Sequence, residues 1–245
     1  MSTAAGIRPV RAARVHRFSA TERVLHAAHG TAFVLMLLSG LVLYLPFLAQ
    51  AFGNRPVVKA FHLAVAALWL TALVLIAVVG DRAVLRRTRR QFESLDREDL
   101  RWLRSRAARS APQGRFNGGM KVHAIVQAAL TVLFFVSGAL MWLGERNTSF
   151  RLPGTIATHD LAMFAGAIFV IGHVAIAFSQ TASPSLSGIV DGTVPTDYAA
   201  RHHAAWDPAT EPVERVRPLS RARVAAALVI AAAGVAAAAA VAGVG

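Results

Sequence analysis

The sequence contains no cysteine in its 245 residues. A chain without thiols cannot form disulfides, attach a c-type haem covalently, or ligate zinc or an iron–sulfur cluster through sulfur. Acidic residues are also scarce, with 13 Asp and Glu against 26 Lys and Arg, and Asp160 is nearly the only acid inside a long apolar stretch. A di-iron carboxylate site or a carboxylate proton relay therefore lacks its groups. Any metal must be held by histidine, methionine or the few carboxylates.

Apolar residues, by contrast, are abundant. They make up 55% of the chain and give it a mean hydropathy of +0.49, which is more apolar than expected of a soluble domain. Five stretches reach the ~20 residues needed to cross a bilayer. They lie at 24–48, 57–79, 122–143, 156–179 and 224–244. The predicted fold class is all-α integral membrane: a four-helix transmembrane bundle plus a fifth, Ala-rich C-terminal transmembrane helix.

No short apolar core with a small-residue cleavage site precedes the first stretch, so we expect it to be retained as a span. Of the 26 Lys and Arg, 22 lie in alternate connections, beginning with the N-terminal segment. The positive-inside rule then places the N-terminus in the cytoplasm, and five spans place the C-terminus outside a bacterial inner membrane. The predicted segments are a cytoplasmic N-terminal segment (1–23), a four-helix bundle (24–179) with a cytoplasmic loop (80–121), a cytoplasmic tail (180–222) and the extra helix (223–245).

The arginines flank apolar spans and do not form a groove with interleaved aromatic residues. This pattern favours membrane lipid as the partner of the basic charge and argues against nucleic acid. Within the loop, residues 92–107 alternate charged and apolar residues. They predict an amphipathic helix at the anionic leaflet rather than a specific binding site.

Four histidines lie near the ends of the predicted spans, namely His26, His62, His159 and His173. His159 and His173 are fourteen residues apart, which is about 21 Å along one helix. The predicted topology puts His26 and His173 near the cytoplasmic face and the other two near the external face. Two imidazoles at each of two depths are what two stacked, six-coordinate b-type haems require. With both axial positions filled, such haems transfer single electrons.

Spacing alone leaves two interpretations open. A single histidine at a span end is more often an interfacial or hydrogen-bonding residue, and a haem-free membrane anchor would use all four in that way. His29, one turn after His26, competes with it as a ligand or would contact a haem propionate, and His123 could do the latter. A transporter is disfavoured, because the sequence shows no broken spans or buried charge pairs.

Several segments resemble the cytochrome b (gamma) subunit of membrane-bound respiratory formate dehydrogenases. They are RFSATERVLHAAHG, KAFHLAVA, GRFNGGMKVH, THDLAMFAGAIFVIGHVAIAF and the following SGIVDGTVPTDYAARHHAAW. Together they cover most of residues 14–206. The resemblance implies that His26 and His173 ligate the haem on the cytoplasmic side and that His62 and His159 ligate the other.

The resemblance also implies a quinone pocket beside the cytoplasmic haem. Asn117 and Gly119 match residues of the family's Asn-Ala-Gly-Gln-Lys motif, where an Asn side chain and helix-start amides can hydrogen-bond a quinone oxygen. A helix cap with flexible glycines explains Asn117 and Gly119 equally well. Gly118 and Met120 depart from the motif, since the family commonly has Ala and Gln there.

The expected function is therefore that of an electron-transfer subunit. The resemblance implies an iron–sulfur partner subunit as electron donor, a membrane quinone as acceptor, and a separate molybdenum or tungsten subunit that oxidises formate. The chain itself has no chemistry for formate. The cytochrome b subunit of a hydrogenase or of another quinone-linked oxidoreductase is the alternative.

Overall fold

The computed structural model describes residues 13–104, 112–179, 182–211 and 218–243. The helices, in chain order, are α1 (Ala20–Tyr44), α2 (Pro46–Phe52), α3 (Arg55–Val79), α4 (Arg82–Glu93), α5 (Arg97–Arg104), α6 (Gly118–Arg146), α7 (Thr155–Ala177), α8 (Leu186–Val190), α9 (Thr196–His202) and α10 (Arg221–Gly243). Two strands, β1 (Arg14–His16) and β2 (Thr193–Pro195), pair antiparallel. Short 3-10 turns lie at Thr148–Phe150, Ser183–Ser185 and Pro208–Thr210.

Five helices, α1, α3, α6, α7 and α10, are long and apolar enough to cross a membrane. The five predicted spans are therefore confirmed as helices. Their outward faces carry large apolar side chains, and on α7 Leu161, Ile168 and Ile171 are each about 70% exposed. Such faces suit lipid, because helices satisfy their own backbone polar groups. The chain is a multi-spanning membrane protein.

The first span differs from its predicted boundaries at both ends. It begins earlier, at Ala20, because Ser19 and Glu22 form a reciprocal capping box. It ends at Tyr44, and the prediction of one helix continuing to residue 48 was wrong. Leu45 is extended because the residue before a proline is disfavoured in the helical region, and Pro46 opens α2.

The spanning helices contact one another in a defined order. α1 packs on α3 and also on α7, α6 packs on α7, and α10 packs along α3. The last contact is close, since Gly234 of α10 lies against Thr71 of α3 and leaves no room for a side chain. Arg223, at the start of α10, donates to the carbonyl of Gly80 at 3.1 Å. These contacts attach the fifth helix to the outer side of α3.

The end of the array that carries the start of α1, the loop and the tail is called the basic end below, and the opposite end is called the far end. The N-terminal segment and the tail meet at the basic end through the β1–β2 ribbon, which the all-α prediction did not include. A small core lies beneath it, formed by Val194, Tyr198 and Trp206. The described part of the tail is therefore folded.

The loop contains the two helices α4 and α5, and α5 lies within the stretch 92–107 that was predicted to be an amphipathic helix. The helices break at 94–96, where Asp96 and Asp99 cap each other's amides at 2.8 and 3.0 Å. Both α4 and α5 contact α6. Parts of the predictions for 1–12, 105–111, 180–181, 212–217 and 244–245 lie outside the described residues.

Candidate functional site

The structure brings the four predicted histidines together as two pairs. The ring centres of His26 on α1 and His173 on α7 are 6.1 Å apart. Those of His62 on α3 and His159 on α7 are 6.4 Å apart. α7 thus contributes one histidine to a basic-end pair and one to a far-end pair, as the topology argument expected.

These separations suit a metal held between two imidazoles. Each metal–nitrogen bond is about 2 Å and each nitrogen lies about 1 Å from its ring centre, so two axial imidazoles have centres about 6 Å apart. Among the described residues, no group of three or more His, Asp or Glu is arranged to hold a metal ion. Each pair supplies two ligands, the number that an iron already bound by a porphyrin accepts.

A cavity of about 440 Å³ opens beside the far-end pair. It lies within the range of about 300–1,000 Å³ that cofactor sites occupy. Met36, Leu37, Leu63 and Met163 are among its apolar lining residues. This wall suits the faces of a large flat apolar group.

The rim of the same cavity is polar. Arg55, Lys59, Glu145 and Asp160 line it, and Lys59 forms an ion pair with Glu145 at 2.8 Å. Among the described residues Arg55 forms no ion pair, so this rim cation suits a ligand that carries a carboxylate at one edge.

Two serines contact the far-end pair and were missed by the sequence analysis. The hydroxyl of Ser39 lies 2.8 Å from Nδ1 of His62, and that of Ser137 lies 2.8 Å from Nδ1 of His159. Each serine is followed by a glycine, which puts the Ser-Gly dipeptides of α1 and α6 against the two rings. That repeated dipeptide was the available signal.

An aromatic cluster separates the two pairs. Phe33 and Trp69 are both about 97% buried, and their ring centres are 6.1 Å apart. Phe33 also contacts Phe134 at 6.0 Å. A Cβ at Gly166 would lie 2.7 Å from the Phe33 ring, so this position must be glycine for Phe33 to fit.

The basic-end pair has different surroundings. His26 and His173 are both exposed at the surface of the helical array. His123 stacks on His173 with ring centres 4.7 Å apart and planes 15° apart. His29 lies 5.3 Å from Trp69 and so packs on the aromatic cluster. The structure therefore sets His26, rather than His29, opposite His173.

Asn117 and Gly119 lie at the start of α6. The side-chain oxygen of Asn117 caps the helix by accepting the amide of Met120 at 2.9 Å. Gln113 accepts the amide of Gly118 at 3.2 Å, whereas the amide of Gly119 has no hydrogen-bond partner among the described residues. A Cβ at Gly119 would lie 2.6 Å from Trp102 of α5. Close packing therefore accounts for this glycine.

Buried ion pairs, also missed from sequence, hold these elements at the basic end. Arg115 pairs with Glu22 at 2.6 Å, and Lys121 pairs with Asp99 at 2.6 Å. All four side chains are at least 90% buried. Arg17 is also buried, and burial lowers its pKa to about 10, so the side chain stays charged at neutral pH. The S-x-x-E capping box at 19–22 signals the start of α1 but not the ion pair that Glu22 forms.

The sequence profile of the prokaryotic cytochrome b561 family matches residues 17–192, which is more than half of the chain. The chain belongs to the prokaryotic cytochrome b561 family. Membership of this b561 family implies a b-type haem, and it covers the region that contains all four paired histidines. The described part of the chain contains α10 beyond the end of that region.

Relatives of this b561 chain include formate dehydrogenase cytochrome b556 subunits. The Haemophilus influenzae protein is 23% identical over 207 residues, covering 79% of this chain and 82% of the relative. The cytochrome b556(fdo) subunit of Escherichia coli is 22% identical over 201 residues, covering 78% and 90%. The nitrate-inducible b556(Fdn) subunit of Escherichia coli is 23% identical over 198 residues, covering 76% and 86%. The resemblance stated from sequence is confirmed.

Proposed function

We propose that the chain is the di-haem cytochrome b subunit of a formate dehydrogenase complex, and that it passes electrons from an iron–sulfur partner subunit to a membrane quinone. The observation that carries this proposal is the separation of 6.1 and 6.4 Å within the two histidine pairs. Both values match two imidazoles on one iron, and they occur at two levels of the same helix.

In this proposal α1, α3, α6 and α7 form the haem-holding bundle. His26 and His173 hold one haem, and His62 and His159 hold the other. When bound, the haems supply reversible one-electron chemistry with no open iron position. The apolar wall of the far-end cavity would contact the faces of the haem, while Arg55 at its rim would pair with a haem carboxylate.

The basic end is the cytoplasmic side in this proposal, because it carries most of the basic residues. The quinone would bind there, beside His26 and His173. Asn117 uses its oxygen for the helix cap, so its side-chain NH₂ would donate to a quinone oxygen. The amide of Gly119 would supply a second donor. Protons for the reduced quinone would come from the cytoplasmic side.

The partner is proposed from the relatives, whose names place them in formate dehydrogenases. The chain has no cysteine to hold an iron–sulfur cluster, so a donor of that kind must be another subunit. A molybdenum or tungsten subunit would oxidise the formate. Affinity purification of the tagged chain from mild detergent, followed by mass spectrometry, tests this partner. Recovery of hydrogenase subunits in place of formate dehydrogenase subunits would replace the proposal with its alternative.

Optical spectroscopy of the purified full-length chain tests the cofactor. We expect a reduced b-type α band and, by the pyridine haemochrome method, two haems per chain. A colourless protein from cells supplied with a porphyrin precursor would overturn the proposal in favour of a haem-free anchor.

Substitutions of Asn117 test the quinone contact. Asn117→Ser keeps a good helix cap but lacks the NH₂ donor, whereas Asn117→Ala loses both and should cost about 1 kcal/mol of stability. We expect both variants to keep two haems and to reduce a soluble quinone analogue several-fold more slowly. Normal turnover by Asn117→Ser would remove Asn117 from the quinone site.

A further inference from the structure

The serines at the far-end pair have defined roles as hydrogen-bond donor and acceptor. Each donates its only hydroxyl proton to the backbone carbonyl four residues earlier, at 2.7 Å from Ser39 to Leu35 and at 2.6 Å from Ser137 to Leu133. A hydroxyl has one proton and two acceptor lone pairs. Toward the neighbouring imidazole, each serine oxygen can therefore only accept.

The direction of the serine hydrogen bond determines which nitrogen of the imidazole ring carries a proton. Since the serine accepts at 2.8 Å, Nδ1 of His62 and of His159 must carry the proton. When such a ring is neutral, its lone pair is on Nε2, the nitrogen left to bind a metal. The serines are buried, with exposures of 6% and 3%, so water does not compete for these bonds.

The arrangement is repeated across two different helix pairs. Ser39 reaches from α1 to α3, and Ser137 reaches from α6 to α7. Among the described residues, no hydrogen bond reaches the ring nitrogens of His26 or His173. Among the described residues, hydrogen bonds between serine and the ring nitrogens thus occur at the far-end pair and not at the basic-end pair.

We infer that Ser39 and Ser137 are positioning residues, which hold His62 and His159 in the Nδ1–H form and lower the reduction potential of the far-end haem. This inference rests on the proposed function. A partner that accepts from Nδ1–H raises the basicity of the ligand. A more basic ligand favours oxidised over reduced iron, so the far-end haem should give up its electron more readily. This shift would favour electron transfer toward the basic end.

Redox titration of the purified full-length chain, followed optically, tests the inference. We expect Ser39→Ala and Ser137→Ala each to raise the potential of one haem and leave the other unchanged. A tenfold change in the relative affinity for oxidised and reduced haem corresponds to about 59 mV for a one-electron couple. The double variant should shift the same haem further. Ser39→Thr and Ser137→Thr should restore the original potential, because threonine also donates to the carbonyl four residues back.

The matched control is Thr131→Val. Thr131 lies on α6 and donates to the carbonyl of Gln127 at 2.7 Å, as Ser137 does to Leu133, but no histidine hydrogen bond involves it. Its removal should leave both potentials unchanged. A similar shift in this control would attribute the effect to loss of a helix back-bond and overturn the inference.

The remaining outcomes are also decisive. If an alanine variant loses the haem but the threonine variant keeps it, the positioning role is supported by haem content alone. If alanine and threonine variants both lose it, or if two haems remain with unchanged potentials, the inference is wrong. A wild-type chain without haem would instead contradict the proposed function.

Discussion

The far-end and basic-end histidine pairs share α7 and have nearly equal ring separations, but their surroundings differ. His62 and His159 are half-buried, hydrogen-bonded to serines and next to a mainly apolar cavity with a polar rim. His26 and His173 are exposed, with His123 stacked on one of them. Hydrogen bonds to serine therefore orient both rings of the far-end pair, whereas in the basic-end pair one ring is stacked on another histidine.

This difference matches the tasks that the two ends have in the proposed function. A haem that only relays electrons gains from a dry, fixed site, since exposed sites exchange water and ligands. A haem that reduces a diffusing quinone must be reachable from the lipid. In the proposed function that access would lie at the basic end, where the amide of Gly119 has no hydrogen-bond partner among the described residues.

Among the predicted effects, replacement of the paired histidines should be the largest, because each substitution removes a proposed ligand from one of the two haems. We expect His62→Ala and His159→Ala each to lower the haem content from two to one, leaving the same haem in both variants. His26→Ala and His173→Ala should leave the other haem. Haem quantification and the potential of the remaining haem together measure this.

Two histidines serve as controls for that experiment. His16 is exposed on β1, outside the five long helices, so His16→Ala should keep two haems. His29→Ala should also keep two, because His29 packs on Trp69. Loss of one haem in His29→Ala, with two retained in His26→Ala, would show that His29 is the ligand.

The two ends also differ in how their charges are held. Lys121 and Asp99 at the basic end are over 90% buried, whereas Lys59 and Glu145 at the far end are 31% and 51% exposed. Asp99→Asn leaves a buried cation unpaired and should cost about 3–5 kcal/mol of unfolding free energy. Glu145→Gln should cost less than about 1 kcal/mol.

Thermal unfolding in detergent and trypsin sensitivity of the loop measure both variants. The double substitution Asp99→Leu/Lys121→Met removes both charges and should recover much of the loss. Equal destabilisation by Asp99→Asn and Glu145→Gln would contradict the distinction between the ends.

The features predicted from sequence are those that depend on hydropathy and spacing. Five apolar stretches predicted the five long helices, and the depth of each histidine in the predicted topology indicated which rings would meet. The serine contacts depend on helix rotation, which hydropathy does not determine when every face of a span is apolar. The ion pair of Arg115 with Glu22 joins residues 93 positions apart, and a single sequence contains no signal for such a pairing.

The local stability of the basic end, unlike that of the far end, should depend on pH, and this effect is the smallest of the predicted effects. His203 in the tail is 99% buried and donates from Nδ1 to the carbonyl of Gly114 at 2.7 Å. Burial, and then the charge of Arg17, lower its pKa from 6.5 to about 3. The unfolded tail therefore takes up a proton below pH 6.5, while the folded tail takes it up only near pH 3. Between pH 6.5 and pH 3 the free energy of tail opening should therefore decrease as the pH is lowered, by at most about 1.4 kcal/mol per pH unit.

Amide hydrogen exchange of β2 and α9 at pH 7 and pH 5 measures this free energy, with the far-end turn at Thr148–Phe150 as internal reference. His203→Gln keeps a donor for Gly114 without titrating, so it should flatten the dependence, and an unchanged slope in that variant would assign the effect to another group.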